Sequence, residues 1–82
     1  MSDQVCVYGT NWCPDTARSR KCLQRLEVEY VWYDIDNDED ARAFVEQVNN
    51  GTRSVPIILF PDGSVLIEPD DSELEKKLSE LG

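Results

Sequence analysis

Cys13 sits in Trp12-Cys13-Pro14-Asp15-Thr16, directly after the apolar run Val5-Cys6-Val7-Tyr8-Gly9. An apolar run followed by Cys-Pro places this thiol where a strand ends and a helix begins. The unpaired N–H groups of the first helical turn and the positive end of the helix dipole both favour thiolate over thiol there. Pro14 suits the first helical position, where its missing N–H is no loss. A thiolate so placed can attack a disulfide. The second thiol of a Cys-x-x-Cys pair would stand at position 16, which is threonine. The site therefore reads as a thiol redox centre with one of its two sulfurs absent. Thr16 can offer its hydroxyl and N–H to the thiolate, whereas Asp15 adds negative charge beside it and partly offsets the helix.

The other two cysteines are expected to be structural. Cys22 follows Cys13 by nine residues on the same helix, about 13.5 Å along the axis and roughly on the opposite face. A disulfide needs Cα atoms within about 7 Å, so Cys22 reads as a semi-buried helix position. Cys6 lies mid-strand and reads as core. Three dispersed cysteines without histidine make no closed zinc site, and no metal is expected.

Seventeen acidic residues against eight basic ones give a net charge of −9. That balance argues against nucleic acid, whose phosphates need a basic face. With no histidine, imidazole acid–base catalysis and ligation are excluded. No 18-residue apolar run suggests a membrane span, and Met1-Ser2-Asp3-Gln4 lacks the basic and apolar regions of a signal peptide. The expectation is one domain over residues 1–82, monomeric and cytoplasmic, in a reducing setting that suits an odd number of dispersed cysteines.

The elements that must hold Cys13 follow from pattern. Gln4 to Tyr8 reads as a strand buried on both faces, and Pro14 to about Leu26 as a helix with Ala17, Leu23 and Leu26 at roughly helical spacing. Glu29 to Ile35, rich in β-branched and aromatic residues, reads as the second strand. Asn37-Asp38-Glu39-Asp40 starts a helix whose apolar stripe is Ala41, Phe44, Val45 and Val48, ended by Asn49-Asn50-Gly51. Ile57 to Phe60 and Val65 to Ile67 are strands around the turn Pro61-Asp62-Gly63-Ser64. Ser72 and Glu75 have capping-box spacing before a helix lined by Leu74, Leu78 and Leu81. Tyr30, Trp32, Tyr33, Phe44 and Phe60 read as core and sheet aromatics. The order predicts an α/β chain with a parallel first strand pair, an antiparallel final hairpin, and a four-stranded mixed sheet flanked by three helices, the thioredoxin fold.

Val7-Tyr8-Gly9-Thr10-Asn11-Trp12-Cys13-Pro14, Tyr33-Asp34-Ile35-Asp36, Asn50-Gly51-Thr52-Arg53-Ser54-Val55-Pro56 and Phe60-Pro61-Asp62-Gly63-Ser64 occur in this order along nearly the whole chain. In this the sequence resembles the glutaredoxin family, and among its members the small bacterial mycoredoxin-like proteins. The resemblance implies a cis Val55–Pro56 bond facing Cys13, with the Val55 backbone pairing an extended thiol substrate. It makes Arg53 the candidate cation for the thiolate or a substrate carboxylate, and Asp70 and Asp71 the stretch facing the far end of the small thiol. Trp12 shields the thiolate or stacks on a substrate, or else packs on the opposite loop. Glutathione-binding members usually carry lysine three residues before the cysteine, where this chain has Thr10. They also tend to have a Gly-Gly then Ser/Cys-Asp stretch before the last helix, where this chain has Leu66-Ile67-Glu68-Pro69-Asp70-Asp71. Mycoredoxin-like proteins share these departures and act on other thiols.

The implied function is monothiol thiol–disulfide oxidoreduction. Cys13 would clear mixed disulfides between proteins and a low-molecular-weight thiol, glutathione or one like mycothiol or bacillithiol, which serves as co-substrate with no bound cofactor. The alternative is a non-catalytic binding or regulatory module with a vestigial redox site. Iron–sulfur carriage ranks last, because Pro14-Asp15-Thr16 lacks the glycine and phenylalanine of Cys-Gly-Phe-Ser sites.

Overall fold

The computed structural model describes residues 4–51 and 54–81. Its elements run β1 (Val5–Gly9), α1 (Pro14–Arg25), β2 (Tyr30–Asp34), α2 (Glu39–Val48), β3 (Ile57–Leu59), β4 (Val65–Ile67) and α3 (Asp71–Leu81). The sheet order is β2-β1-β3-β4, with β1 parallel to β2 and the other pairs antiparallel. This is the predicted mixed sheet with three helices, and element ends differ from the sequence reading by a residue or two.

Alternation along the strands divides the core into two layers. On one side Val5, Val7, Ile58 and Phe60 pack with Cys22 and Leu23 of α1 and Leu74 of α3, with Tyr30, Trp32 and Leu66 against them. On the other, Cys6, Tyr8 and Ile57 pack with Ala41 and Val45 of α2 and with Val55, with Val31, Tyr33, Phe44 and Cys13 against them. Tyr8 lies between Tyr33 and Phe44, its ring centroid 4.7 Å from one and 4.6 Å from the other. Burial, with Cys6, Tyr33 and Asp38 near it, pushes the Tyr8 phenol up to about 12, so it stays neutral. The aromatics are thus structural, as expected.

Three details depart from the sequence reading. Ala17 is exposed, and the face that α1 buries is Thr16, Ser19, Cys22 and Leu23. Cys22 is only 2% exposed and belongs to the core beneath α1 and α3, because those helices pack together over the face it occupies. The capping box of α3 is Asp70–Glu73, not Ser72–Glu75. Asp70 Oδ1 accepts the Glu73 N–H at 2.8 Å, and Glu73 Oε1 accepts the Asp70 N–H at 3.3 Å. Glu75, two residues further along α3, pairs with Arg25 instead.

These bonds to the Glu73 and Ser72 N–H groups and the Ser72 hydroxyl hold the Asp70 carboxyl below the ordinary aspartate value. A carboxyl whose folded-state value is depressed contributes stability above its unfolded value and loses it as pH falls through the folded one. Asp70→Ala is therefore expected to lower Tm at neutral pH. The deficit should shrink below pH 3.8, the ordinary value, as the wild-type carboxylate protonates. Thermal melts of both proteins over that range check it.

Gly9 closes β1 for a steric reason. A Cβ there would lie 2.6 Å from both Cγ2 and Oγ1 of Thr16, so only glycine lets the first turn of α1 rest on the strand end. Gly9→Ala is expected to cost about 1–3 kcal/mol by overpacking. Thr16→Ala in the same chain should restore part of it, which denaturant titration of the single and double variants would show.

Candidate active site

Cys13 is the residue immediately before α1, in extended conformation (φ −83°, ψ 121°), and its side chain makes no capping hydrogen bond. At this position a serine or aspartate would accept the N–H of the second or third helical residue. A neutral thiol is a poor acceptor, whereas a thiolate can take that place before the Asp15 and Thr16 N–H groups. The helix is held in register by the Ala17 N–H bonding to the Cys13 carbonyl at 3.1 Å. The thiol is half-buried and packs against the cluster that contains Tyr8 and Val55.

The loop from β1 to α1 is fixed by acids beyond β2. Asn11 Nδ2 donates to Asp34 Oδ2 at 3.1 Å, and Trp12 Nε1 donates to Asp36 Oδ2 at 2.9 Å. Asp34 also takes the Asn37 side chain and the Asp36 N–H, so the two carboxylates are positioned together. The Trp12 ring is 73% exposed. It is therefore tied at its edge to the opposite loop while its faces stay open beside the thiol. The sequence reading missed the roles of Asp34 and Asp36; their alternation in Tyr33-Asp34-Ile35-Asp36 at a strand end was the available signal.

Asp15 is paired with Arg18 at 3.2 Å, which counters its charge near Cys13. Thr16 is 1% exposed and its Oγ1 has no hydrogen-bond partner. The hydroxyl therefore does not reach the sulfur, contrary to one expectation; it is held under Gly9, and the Thr16 contribution rests on its N–H. Thr10 is buried with its hydroxyl also unpartnered, so it presents nothing to a ligand carboxylate.

The Val55–Pro56 peptide bond is cis. Val55 and Pro56 are both buried, and neither the N–H nor the carbonyl of Val55 is bonded among the described residues. The Pro56 carbonyl accepts from Glu68 at 2.8 Å. Arg53 lies outside the described residues. Asp71 and Pro14 line a common groove, so the start of α3 adjoins the first turn of α1. The Asp70 side chain is committed to its cap.

No second sulfur is placed to resolve Cys13. All three cysteines are free thiols, and Cys6 is buried in the sheet. Cys22 lies on the same unbroken helix, about 13.5 Å further along its axis. Burial pushes the Cys22 thiol up, against the opposing effect of Arg25, whose Nη2 donates to the sulfur at 3.6 Å. Among the described residues no group of histidine, cysteine, aspartate and glutamate is arranged to hold a metal, and no helix is long and apolar enough to cross a membrane.

A strand-to-helix cysteine followed by proline, packed against the cluster that holds Val55 of a cis Val55–Pro56 bond, on a four-stranded mixed sheet, defines a thioredoxin-fold thiol site. The glutaredoxin family profile matches residues 5–66. Mycoredoxin 1 of Corynebacterium glutamicum is 37% identical over 78 residues, covering 94% of this chain and 95% of its own. The crystal structure of a glutaredoxin from Archaeoglobus fulgidus superposes with a TM-score of 0.72 at 26% identity, covering 90% of this chain and 84% of that one. The crystal structure of the thioredoxin-like protein BC3987 shares the fold at TM-score 0.78 and 23% identity, covering 89% of this chain and 97% of that one. The chain belongs to the glutaredoxin family, whose members are thiol–disulfide oxidoreductases working with a low-molecular-weight thiol.

Proposed function

We propose that this protein reduces mixed disulfides between proteins and a low-molecular-weight thiol by a cycle that uses Cys13 alone. The Cys13 thiolate attacks the small-thiol sulfur of the mixed disulfide. The protein thiolate leaves, and Cys13 is left joined to the small thiol. A second small-thiol molecule, as thiolate, attacks that small-thiol sulfur, which gives the small-thiol disulfide and returns Cys13. Each step forms one S–S bond and breaks one.

The observation that carries this reading is Cys13 at the helix start with its capping role unfilled and Thr16, not a thiol, one turn on. The departing protein sulfur is taken to lie along Val55, whose N–H and carbonyl can pair with an extended substrate, with Trp12 covering the sulfurs. Asp15, Thr16, Pro56, Asp70 and Asp71 frame the site, and Arg53 is assigned to the carboxylate of the small thiol or to the thiolate. Glutathione carries two carboxylates and meets acids at Asp70 and Asp71, so among the candidate carriers a mycothiol-like thiol without carboxylates is favoured over glutathione and over a bacillithiol-like thiol, whose malate also carries two. The protein acts as a cytoplasmic monomer in this reading.

Turnover of one protein mixed disulfide, measured in parallel with glutathione, mycothiol and bacillithiol, tests it. The reading expects catalysis with at least one thiol and a faster rate with mycothiol than with glutathione. A vestigial site on a binding module expects none with any.

A further inference from the structure

Although the chain carries a net charge of −9, four of its eight basic residues lie on α1, which has a single acid, Asp15. Arg20 faces the sheet, its guanidinium 4.0 Å over the Trp32 ring and its Nε donating to the Tyr30 hydroxyl. Arg18, Lys21 and Arg25 recur at spacings of three and four and share another face. With Pro14, Ala17, Cys22 and Asp71 they line a groove of about 650 Å3. The groove begins at Pro14, the residue after the nucleophile.

Its cations are available. Arg18 is paired with Asp15, and Arg25 with Glu75 at 3.3 Å and Asp71 at 3.9 Å, all through side chains about half exposed. Such surface pairs are weak and exchangeable. Lys21 has no ion-pair partner among the described residues.

We propose that this groove docks an acidic segment of the protein client, one or more Asp or Glu residues a short way along the chain from the cysteine that bears the small thiol. The proposal rests on Cys13 being the reacting sulfur. Lys21 follows Cys13 by eight residues, about 12 Å along the helix. An extended chain advances about 3.3 Å per residue. An acid three or four residues from the client cysteine therefore reaches Lys21, and one about five residues away reaches Arg25. A client carboxylate gives Lys21 a partner and can replace Asp15 or Glu75 at the arginines. The occupant is a client rather than a second copy because the groove opens beside Cys13, where the client chain must lie for its disulfide to react.

The test uses two peptides of equal length with serine in place of the client cysteine, one with Asp and Glu at the third to fifth flanking positions and one with Lys and Arg. They are titrated into the wild-type protein by NMR at low ionic strength. The acidic peptide is expected to bind at least about tenfold more tightly, moving the amides of Lys21 and Arg25. The advantage should collapse in about 0.5 M salt and in Lys21→Glu. With cysteine restored and joined to the same small thiol, the ratio of kcat/KM between the peptides should follow the binding ratio. Equal binding of both peptides would overturn the proposal. So would Lys21→Glu weakening both alike, or sedimentation showing a dimer that Lys21→Glu dissociates. If no mixed disulfide turned over but the acidic serine peptide still bound at the groove, the groove would stand and the reading of Cys13 would fall.

Discussion

Cys13→Ser is expected to reduce mixed-disulfide turnover to the uncatalysed background, while Cys22→Ala keeps it within about twofold of wild type. The first substitution removes the only sulfur at the start of α1, and a serine hydroxyl stays un-ionised at neutral pH, so no attack on a disulfide follows. The second removes a sulfur buried in the core, on an unbroken helix from which it cannot reach Cys13. Its effect is on packing, and a modest fall in Tm is expected with the kinetics preserved. Steady-state assays of the two variants with one mixed-disulfide substrate make the comparison. A large loss of turnover in a folded Cys22→Ala protein would contradict the one-cysteine cycle.

Thr16→Cys is expected to confer direct reduction of protein disulfides, for example of insulin, which the proposed one-cysteine cycle does not provide. Position 16 is one helical turn from Cys13, a separation at which two thiols at a helix start can close a disulfide. The side chain there is buried beneath Gly9, so the introduced thiol would be the protected one that attacks Cys13 and releases a trapped client. Removing the Thr16 hydroxyl costs little, because it has no partner; an unsatisfied buried polar atom is itself a cost of about 1–3 kcal/mol. The variant should also cease to accumulate long-lived mixed disulfides with protein substrates. A variant that joins Cys13 to the introduced thiol yet reduces nothing would favour a binding module.

Much of this was legible in the sequence because the signals are local. The nearly continuous apolar run Val5-Cys6-Val7-Tyr8 marked a strand buried on both faces, and Cys-Pro after Gly9 marked the strand-to-helix thiol. Asn49-Asn50-Gly51 gave the end of α2, where Asn50 and Gly51 adopt positive φ. What pattern did not show depends on which helix faces which. Cys22 looked semi-buried because α1 alone leaves it on a flank, and only the packing of α3 covers it. Ser72 and Glu75 have the same spacing as Asp70 and Glu73, and the choice between the two boxes depends on where the chain leaves β4. The Trp12–Asp36 and Asn11–Asp34 bonds join residues more than 20 positions apart. They exist because parallel pairing of β1 with β2 brings the two loops to one sheet end.

The central claim is that one sulfur, at Cys13, carries the small thiol through the cycle. It is tested most directly by reacting the reduced protein with a protein mixed disulfide and mapping the quenched products by mass spectrometry. The account predicts a single small-thiol adduct on Cys13, with Cys6 and Cys22 still reduced. An adduct on Cys22, or a product two mass units lighter with Cys13 joined to Cys22, would contradict it.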